Sequence, residues 1–173
     1  MRRVIVVGGG AAGMMAAISA AQSGAGVLLL EKNEKLGKKL YITGKGRCNI
    51  TNDSSTEELL DHVVTNRKFL YSAFYGFSSQ DMQEFLESRG LPLKTERGNR
   101  VFPASDRASD VTACLAGEMD RLGVEVRLRS EVSELILKED RVLGVLLRDG
   151  SRETADRVIV ATGGLSYPAT GSD

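Results

Sequence analysis

Apolar and polar positions divide the chain into stretches of three kinds. Val4 to Val7 and Val27 to Leu30 are short apolar runs with no polar interruption, joined by a segment of small and apolar residues from Gly8 to Gly26. Runs without alternation suit strands covered on both faces, and two of them flanking a helix predict a parallel βαβ unit. From Thr56 to about Arg89 the pattern turns polar with helical spacing, its clearest face being Met82, Phe85 and Leu86. Ser78 with Asp81 predicts a capping box there, Gly90 supplies the C′ residue, and Pro92 follows. A short helix is expected over Gly37 to Ile42. A hairpin is expected from Leu93 to Phe102, turning through Arg97, Gly98 and Asn99.

The rest of the pattern returns to strands. A helix from about Asp106 to Leu122 presents Val111, Leu115, Met119 and Leu122, with Cys114 beside them. Val124 to Leu128 is a short strand after Gly123. Val132 to Leu137, Val142 to Leu147 and Glu153 to Thr154 form a meander with turns at Glu139-Asp140 and Asp149-Gly150. Asp156 to Ala161 is a last apolar strand leading into Thr162, Gly163 and Gly164.

The first βαβ unit carries the chemistry. Gly8, Gly10 and Gly13 have the spacing G-x-G-x-x-G directly after a strand. The first glycine permits the tight turn, the second lets backbone approach a pyrophosphate, and the third lets helix pack closely on strand. Ala12 and Gly13 then lie in the first turn of a helix whose free N–H groups and positive dipole end favour phosphate. Glu31 closes the second strand, near the roughly twenty-residue spacing at which such sites place a ribose-binding acid. A carboxylate there disfavours the 2′-phosphate of NADP, an argument that the adjacent Lys32 weakens.

Val4 to Leu30 holds no charged residue and follows Arg2 and Arg3, as a leader or membrane anchor would. Three consecutive glycines interrupt it, and cleavage inside it would destroy the fingerprint. A soluble, cytoplasmic protein without membrane attachment is therefore expected.

Composition narrows the alternatives. The chain has 173 residues, with 23 Lys and Arg balanced by 23 Asp and Glu. That balance gives no global field for nucleic acid, so no nucleic-acid partner is expected. A local cluster runs through Lys32, Lys35, Lys38, Lys39, Lys45 and Arg47. Most of it reads as a solvated face, with one or two members, Lys32 and Lys39 among them, available to a cofactor phosphate. Cys48 and Cys114 are the only cysteines and read as reduced thiols, Cys114 as a packing residue. His62, the single histidine, sits in a polar helical stretch and reads as a surface residue. A serine–histidine hydrolase, a zinc site and a P-loop are all disfavoured, and no metal is expected.

The order of elements selects the cofactor. A plain NAD domain would continue with alternating strands and helices. Here the βαβ unit is followed by a long helical insertion, a meander and a strand ending in A-T-G-G, with no second glycine fingerprint. This resembles the glutathione-reductase-type FAD domain, an α/β Rossmann-type fold with helical insertion and β-meander. Three segments, GKKLYITGKGRCNITN, NRVFPASDRASDV and VIVATGGLSYPATGS, resemble more closely one family of bacterial NAD(P)/FAD-dependent flavoprotein oxidoreductases. That family includes bile-acid-reductase-like and aminoacetone-oxidase-like proteins.

The resemblance implies extended FAD held by Gly8, Gly10, Ala12, Gly13 and Glu31, with NAD(P)H as a transient electron donor. By the same analogy the backbone of Val132 would meet the adenine edge, and Ala161, Thr162 and Gly163 would come close to the flavin. Arg47, Cys48 and Asn49 would lie on the flavin side, Gly44 and Gly46 letting backbone approach closely. Arg47 suits a phosphate or flavin carbonyl, and Cys48 reads as packing rather than as a redox thiol.

The expected organisation is a partial FAD-binding domain: 1–50 for fingerprint and flavin-side loop, 51–123 for the helical insertion, 124–173 for meander and A-T-G-G end. Family members continue into a middle domain and a returning C-terminal segment. This chain is therefore expected to be the FAD-binding portion of a flavin-dependent oxidoreductase, inactive alone and able to self-associate. The alternative is a non-catalytic dinucleotide-binding module, or one part of a split flavoprotein needing a partner chain. No catalytic acid or base stands out, and the substrate is unknown.

Overall fold

The apolar run from Val4 to Val7 becomes an inner strand of a parallel sheet. The computed structural model describes residues 1–165. Strand β1 (Arg3–Val7) leads through helix α1 (Ala11–Gln22) to strand β2 (Gly26–Leu30). Two later strands, β6 (Glu125–Arg127) and β10 (Arg157–Val160), complete a four-stranded sheet in the order β10-β1-β2-β6, parallel throughout. The order reverses direction from β1, since β2 lies on one side of it and the last strand on the other. In open α/β sheets the crevice at the carboxyl ends beside such a point receives ligands.

Alternation sends successive side chains to opposite faces. Ile5, Val7, Leu28 and Leu30 face one way and form a buried cluster with Val145 and Leu147, with Val132, Ala155 and Val158 packed at its margin. The partners come from the meander β7 (Val132–Lys138), β8 (Arg141–Leu147) and β9 (Arg152–Thr154), antiparallel in that order. Helix α1 packs on β1 and β2 and buries Gly13, Met14, Ala17 and Ile18. Each of Ile5, Leu28 and Leu30 is essentially solvent-free, and such burial contributes roughly 1.5–3 kcal/mol per side chain. The sheet and meander are also tied by charge. Glu153 of β9 accepts from Arg3 of β1 at 2.7 Å and from Arg127 of β6.

The chain divides into two compact units, one comprising Met1–Leu40 and the chain from Leu115 onward, the other Tyr41–Cys114. In the second unit the expected hairpin is present as β4 (Leu93–Glu96) and β5 (Arg100–Pro103), with Gly98 and Asn99 at positive φ in its turn. A two-residue strand β3 (Thr51–Asn52), not anticipated from the sequence, pairs with β5. Helix α5 spans Ala108–Arg121.

One expectation needs correction. Residues 37–42 form turns rather than a short helix. Gly37 is left-handed (φ 66°) and its amide is committed to the Gly9 carbonyl at 2.8 Å, so no helical ladder starts there. The expected helical region is present, as α2 (Thr56–Asp61), a 3₁₀ turn (Arg67–Leu70), α3 (Tyr71–Gly76) and α4 (Ser79–Glu87). Left-handed Asn66 and extended Phe77 interrupt it. The Ser78–Asp81 capping box is present, and Ser55 with Glu58 makes a second one that caps α2. Among the described residues no helix is long and apolar enough to cross a membrane.

Candidate functional site

The glycine turn is shaped by three contacts. Gly8 has φ 107°, and a Cβ on it would stand 2.4 Å from the Ala161 carbonyl oxygen. A Cβ on Gly13 would meet the Gly8 carbonyl oxygen at 1.8 Å. The protein's own backbone therefore requires glycine at both positions. Gly10 differs: its φ is −79°, and a Cβ there would find no heavy atom within 4 Å. Gly10 is also the N-cap of α1 and offers no side-chain cap, and no acid lies in the first turn. Ala11 and Ala12 are exposed beside it. The helix start is left open and positive, which suits a phosphate.

Gly9, between the fingerprint glycines, is a functional position that spacing alone does not reveal. A Cβ there would lie 2.5 Å from Leu36 Cδ2 and 3.0 Å from Glu31 Oε2. Its amide donates to Glu31 Oε2 at 2.6 Å. Glu31 is buried, and its Oε1 accepts from the Asn33 amide at 2.8 Å and from Asn33 Nδ2 at 2.6 Å. A carboxylate has about four lone-pair sites, so three protein bonds leave it acceptor capacity for a ribose hydroxyl. Lys32 and Lys39 flank this segment half-buried, and Lys38 donates to Asn33 Oδ1 at 3.0 Å.

The strand end Ala161-Thr162-Gly163 meets the fingerprint directly. The Ala161 amide donates to the Val7 carbonyl at 2.8 Å, and its Cβ lies 3.5 Å from a Cβ built on Gly13. Val132 opens β7 opposite Leu147. The Arg148 amide donates to the Glu131 carbonyl, which makes Val132–Leu147 a non-hydrogen-bonded pair. The amide and carbonyl of Val132 thus face the open edge of the meander.

Arg47, Cys48 and Asn49 belong to the second unit. The preceding turn is Thr43–Gly46, with Gly44, Lys45 and Gly46 all at positive φ. Arg47 Nη1 donates to both oxygens of Glu96, at 2.9 and 3.1 Å, and to Asp106 at 3.4 Å. Its guanidinium carbon lies 4.2 Å from the Phe102 ring centroid. Lys94 bonds Asp106 at 2.5 Å and, with Arg47 nearby, holds that carboxyl below its ordinary range. Cys48 is buried at φ 63° and Asn49 is exposed. His62 is exposed at the end of α2, with Nδ1 2.7 Å from the Glu58 carbonyl. The end of the third signature segment, including Tyr167, Pro168 and Gly171, lies outside the described residues.

Residues 2–173 match the HI0933-like protein Rossmann domain. The chain belongs to that family. It is 38% identical over its whole length to the 3-dehydro-bile acid delta(4,6)-reductase of Clostridium scindens, of which it spans 42%. It is 33% identical, over 88% of its length, to the ribosomal RNA dihydrouridine synthase of Escherichia coli, of which it spans 37%. The chain thus covers about two-fifths of these curated relatives. Among solved structures, the 3-ketosteroid-delta4-(5alpha)-dehydrogenase of Rhodococcus jostii superposes over 96% of this chain and 47% of its own, with TM-score 0.75 and 20% identity. A flavocytochrome c3 fumarate reductase covers 94% of this chain and 34% of its own, with TM-score 0.62 and 24% identity. Family and fold together make this a Rossmann domain.

Proposed function

We propose that the chain binds FAD and is the cofactor-holding part of an oxidoreductase that takes electrons from NAD(P)H. The observation that carries the reading is the space at Gly10. The protein's own packing does not require a glycine there, yet the uncapped start of α1 opens onto it. A pyrophosphate fits that place, held by backbone amides from Gly10 to Gly13. Glu31 would accept the adenosine ribose hydroxyls, and the outward-facing amide and carbonyl of Val132 would meet adenine. Ala161, Thr162 and Gly163, beside Gly8, would continue the cradle toward the flavin. Lys32 and Lys39 would add positive charge near the phosphates. The turn carrying Arg47, Cys48 and Asn49 would face the flavin. Bound FAD would supply two-electron transfer, while these residues bind and orient it.

The relatives' names support a substrate class. One denotes reduction of double bonds in a 3-oxo bile acid, the other conversion of uridine to dihydrouridine. Both are reductions of a carbon–carbon double bond conjugated to a carbonyl, and the same is proposed for the protein this chain serves. The dihydrouridine synthases also support a second reading, in which the substrate is carried on RNA. Salt-sensitive binding of a structured RNA would favour it.

The test is a flavin titration of the purified chain, followed by addition of NADH or NADPH. Quenching of flavin fluorescence with one FAD per chain, lost in Gly10→Val, is expected. Binding of ADP without FAD would favour a non-catalytic nucleotide module. Binding of neither would overturn the reading.

A further inference from the structure

Glu31 is gripped by a neighbour whose every polar group is engaged. Asn33 lies half-buried just after β2. Its backbone amide and its Nδ2 both donate to Glu31 Oε1, at 2.8 and 2.6 Å. Its Oδ1 accepts from Lys38 Nζ at 3.0 Å. Its backbone carbonyl accepts from the Arg129 amide at 2.9 Å. Arg129 is left-handed (φ 53°), a conformation uncommon away from glycine, and the bond to Asn33 helps to hold it. The same loop closes on Glu31 itself. The Ser130 amide donates to the Glu31 carbonyl, and the Glu31 amide donates to the Arg127 carbonyl, both at 2.9 Å. Residues 31–33 and 127–130 thus make one hydrogen-bonded ledge, all of it within the first unit.

We infer that Asn33 is a positioning residue, which aims the Glu31 carboxylate at the ribose hydroxyl edge of the adenosine. The inference deepens the FAD reading and rests on it. The last torsion of a glutamate is broad rather than staggered, so a carboxylate left alone presents its oxygens in many directions. Here both donors of Asn33 converge on Oε1, and the Gly9 amide donates to Oε2. A carboxylate has about four lone-pair sites, so the acceptor capacity that remains lies at Oε2. Lys38 sets the sense of the Asn33 amide. Its ammonium is a donor only, so it takes Oδ1 and leaves Nδ2 for Glu31. The arrangement needs an amide. An aspartate at 33 would set a second carboxylate against Oε1, and an apolar residue would withdraw one of its two donors. A held acceptor gives the hydroxyl its hydrogen bond without the ordering cost of a rotating side chain.

The experiment is calorimetric titration of the 173-residue chain with ADP and with 2′,3′-dideoxy-ADP. The second nucleotide keeps adenine and pyrophosphate and lacks both ribose hydroxyls, so the readout is the ratio of the two affinities. The parent should favour ADP by about tenfold or more, as a hydrogen bond to a charged group would give. Asn33→Ala should bring the ratio to within about twofold of one, with dideoxy-ADP affinity close to the parent's. Lys38→Met leaves the amide in place but free to turn over, and its ratio should fall part of the way. A role in stability alone would lower both affinities together and keep the ratio. A parental ratio in Asn33→Ala, with parental circular dichroism, would overturn the inference and leave the FAD reading in place. Should Asn33→Ala fail to fold, an unchanged ratio in Lys38→Met would overturn it instead. Equal binding of the two nucleotides by the parent would also overturn it. Binding of neither would overturn the FAD reading and this inference with it.

Discussion

A Cβ placed on Gly13 would stand 1.8 Å from the carbonyl oxygen of Gly8. The two glycines are locked together by backbone, whereas a Cβ on Gly10 between them would meet no heavy atom within 4 Å. Gly13→Ala should therefore destabilise the fold by about 3 kcal/mol, the upper range for overpacking against backbone. Gly10→Ala should cost about 1 kcal/mol, the loss of a tolerated N-cap residue. Gly10→Val should fold similarly and lose FAD. Urea unfolding and flavin titration of the three variants separate fold from ligand. Equal destabilisation at the two positions would contradict the geometry.

Glu31 holds both sides of the turn, through Gly9 and through Asn33. Glu31→Gln preserves shape but converts charged hydrogen bonds to neutral ones and presents an NH₂ where an acceptor is needed. Stability should fall by about 1–3 kcal/mol, since bonds to a charged group are the stronger ones. FAD affinity should fall with it, and Glu31→Ala should fall further. Unchanged FAD affinity in Glu31→Ala would remove this residue from the site.

Glu153 gives an acid-sensitive clamp. The bond from Arg127, against the opposing effect of burial, holds its carboxyl below the ordinary range, and Arg3 adds to that. The unfolded carboxyl titrates near about 4.3. Its stabilisation is complete above that value and is lost as pH falls through the lower folded one. Other carboxylates titrate nearby, so the informative quantity is the difference between parent and Glu153→Gln. That difference should be constant near neutrality and shrink below about pH 4. A difference independent of pH would show that the clamp contributes nothing through charge.

Cys48 is buried and Cys114 partly exposed. A thiol reagent should label Cys114 first and reach Cys48 only on unfolding. Cys48→Ser should leave FAD binding unchanged. Rapid labelling of Cys48 in the native chain would argue for a reactive thiol rather than a packing residue.

The legible parts of the sequence were those where one local pattern had one physical solution. Unbroken apolar runs at Val4 and Val27, with glycines between them, admit little besides a βαβ unit, and the meander strands announced themselves by their turns. Glu31 was legible by position, but its grip on Gly9 and Asn33 was not, because both bonds depend on how the next loop folds back. The stretch from Thr56 to Arg89 read as a helical region, with only the start of its last helix located, by the Ser78–Asp81 box. The breaks at Asn66 and Phe77 are backbone choices that periodicity does not encode.

The pairing of β1 with β10 places the first strand of the chain against the last one described. On the ribosome, β1 and β2 emerge early and can pair, but one edge of β1 stays bare until residues 157–160 have been made. The niche at Gly8 is closed by the Ala161 carbonyl, so the cradle has no far wall before then. A chain halted before Ala161 would hold the fingerprint glycines without the carbonyl that closes the niche at Gly8.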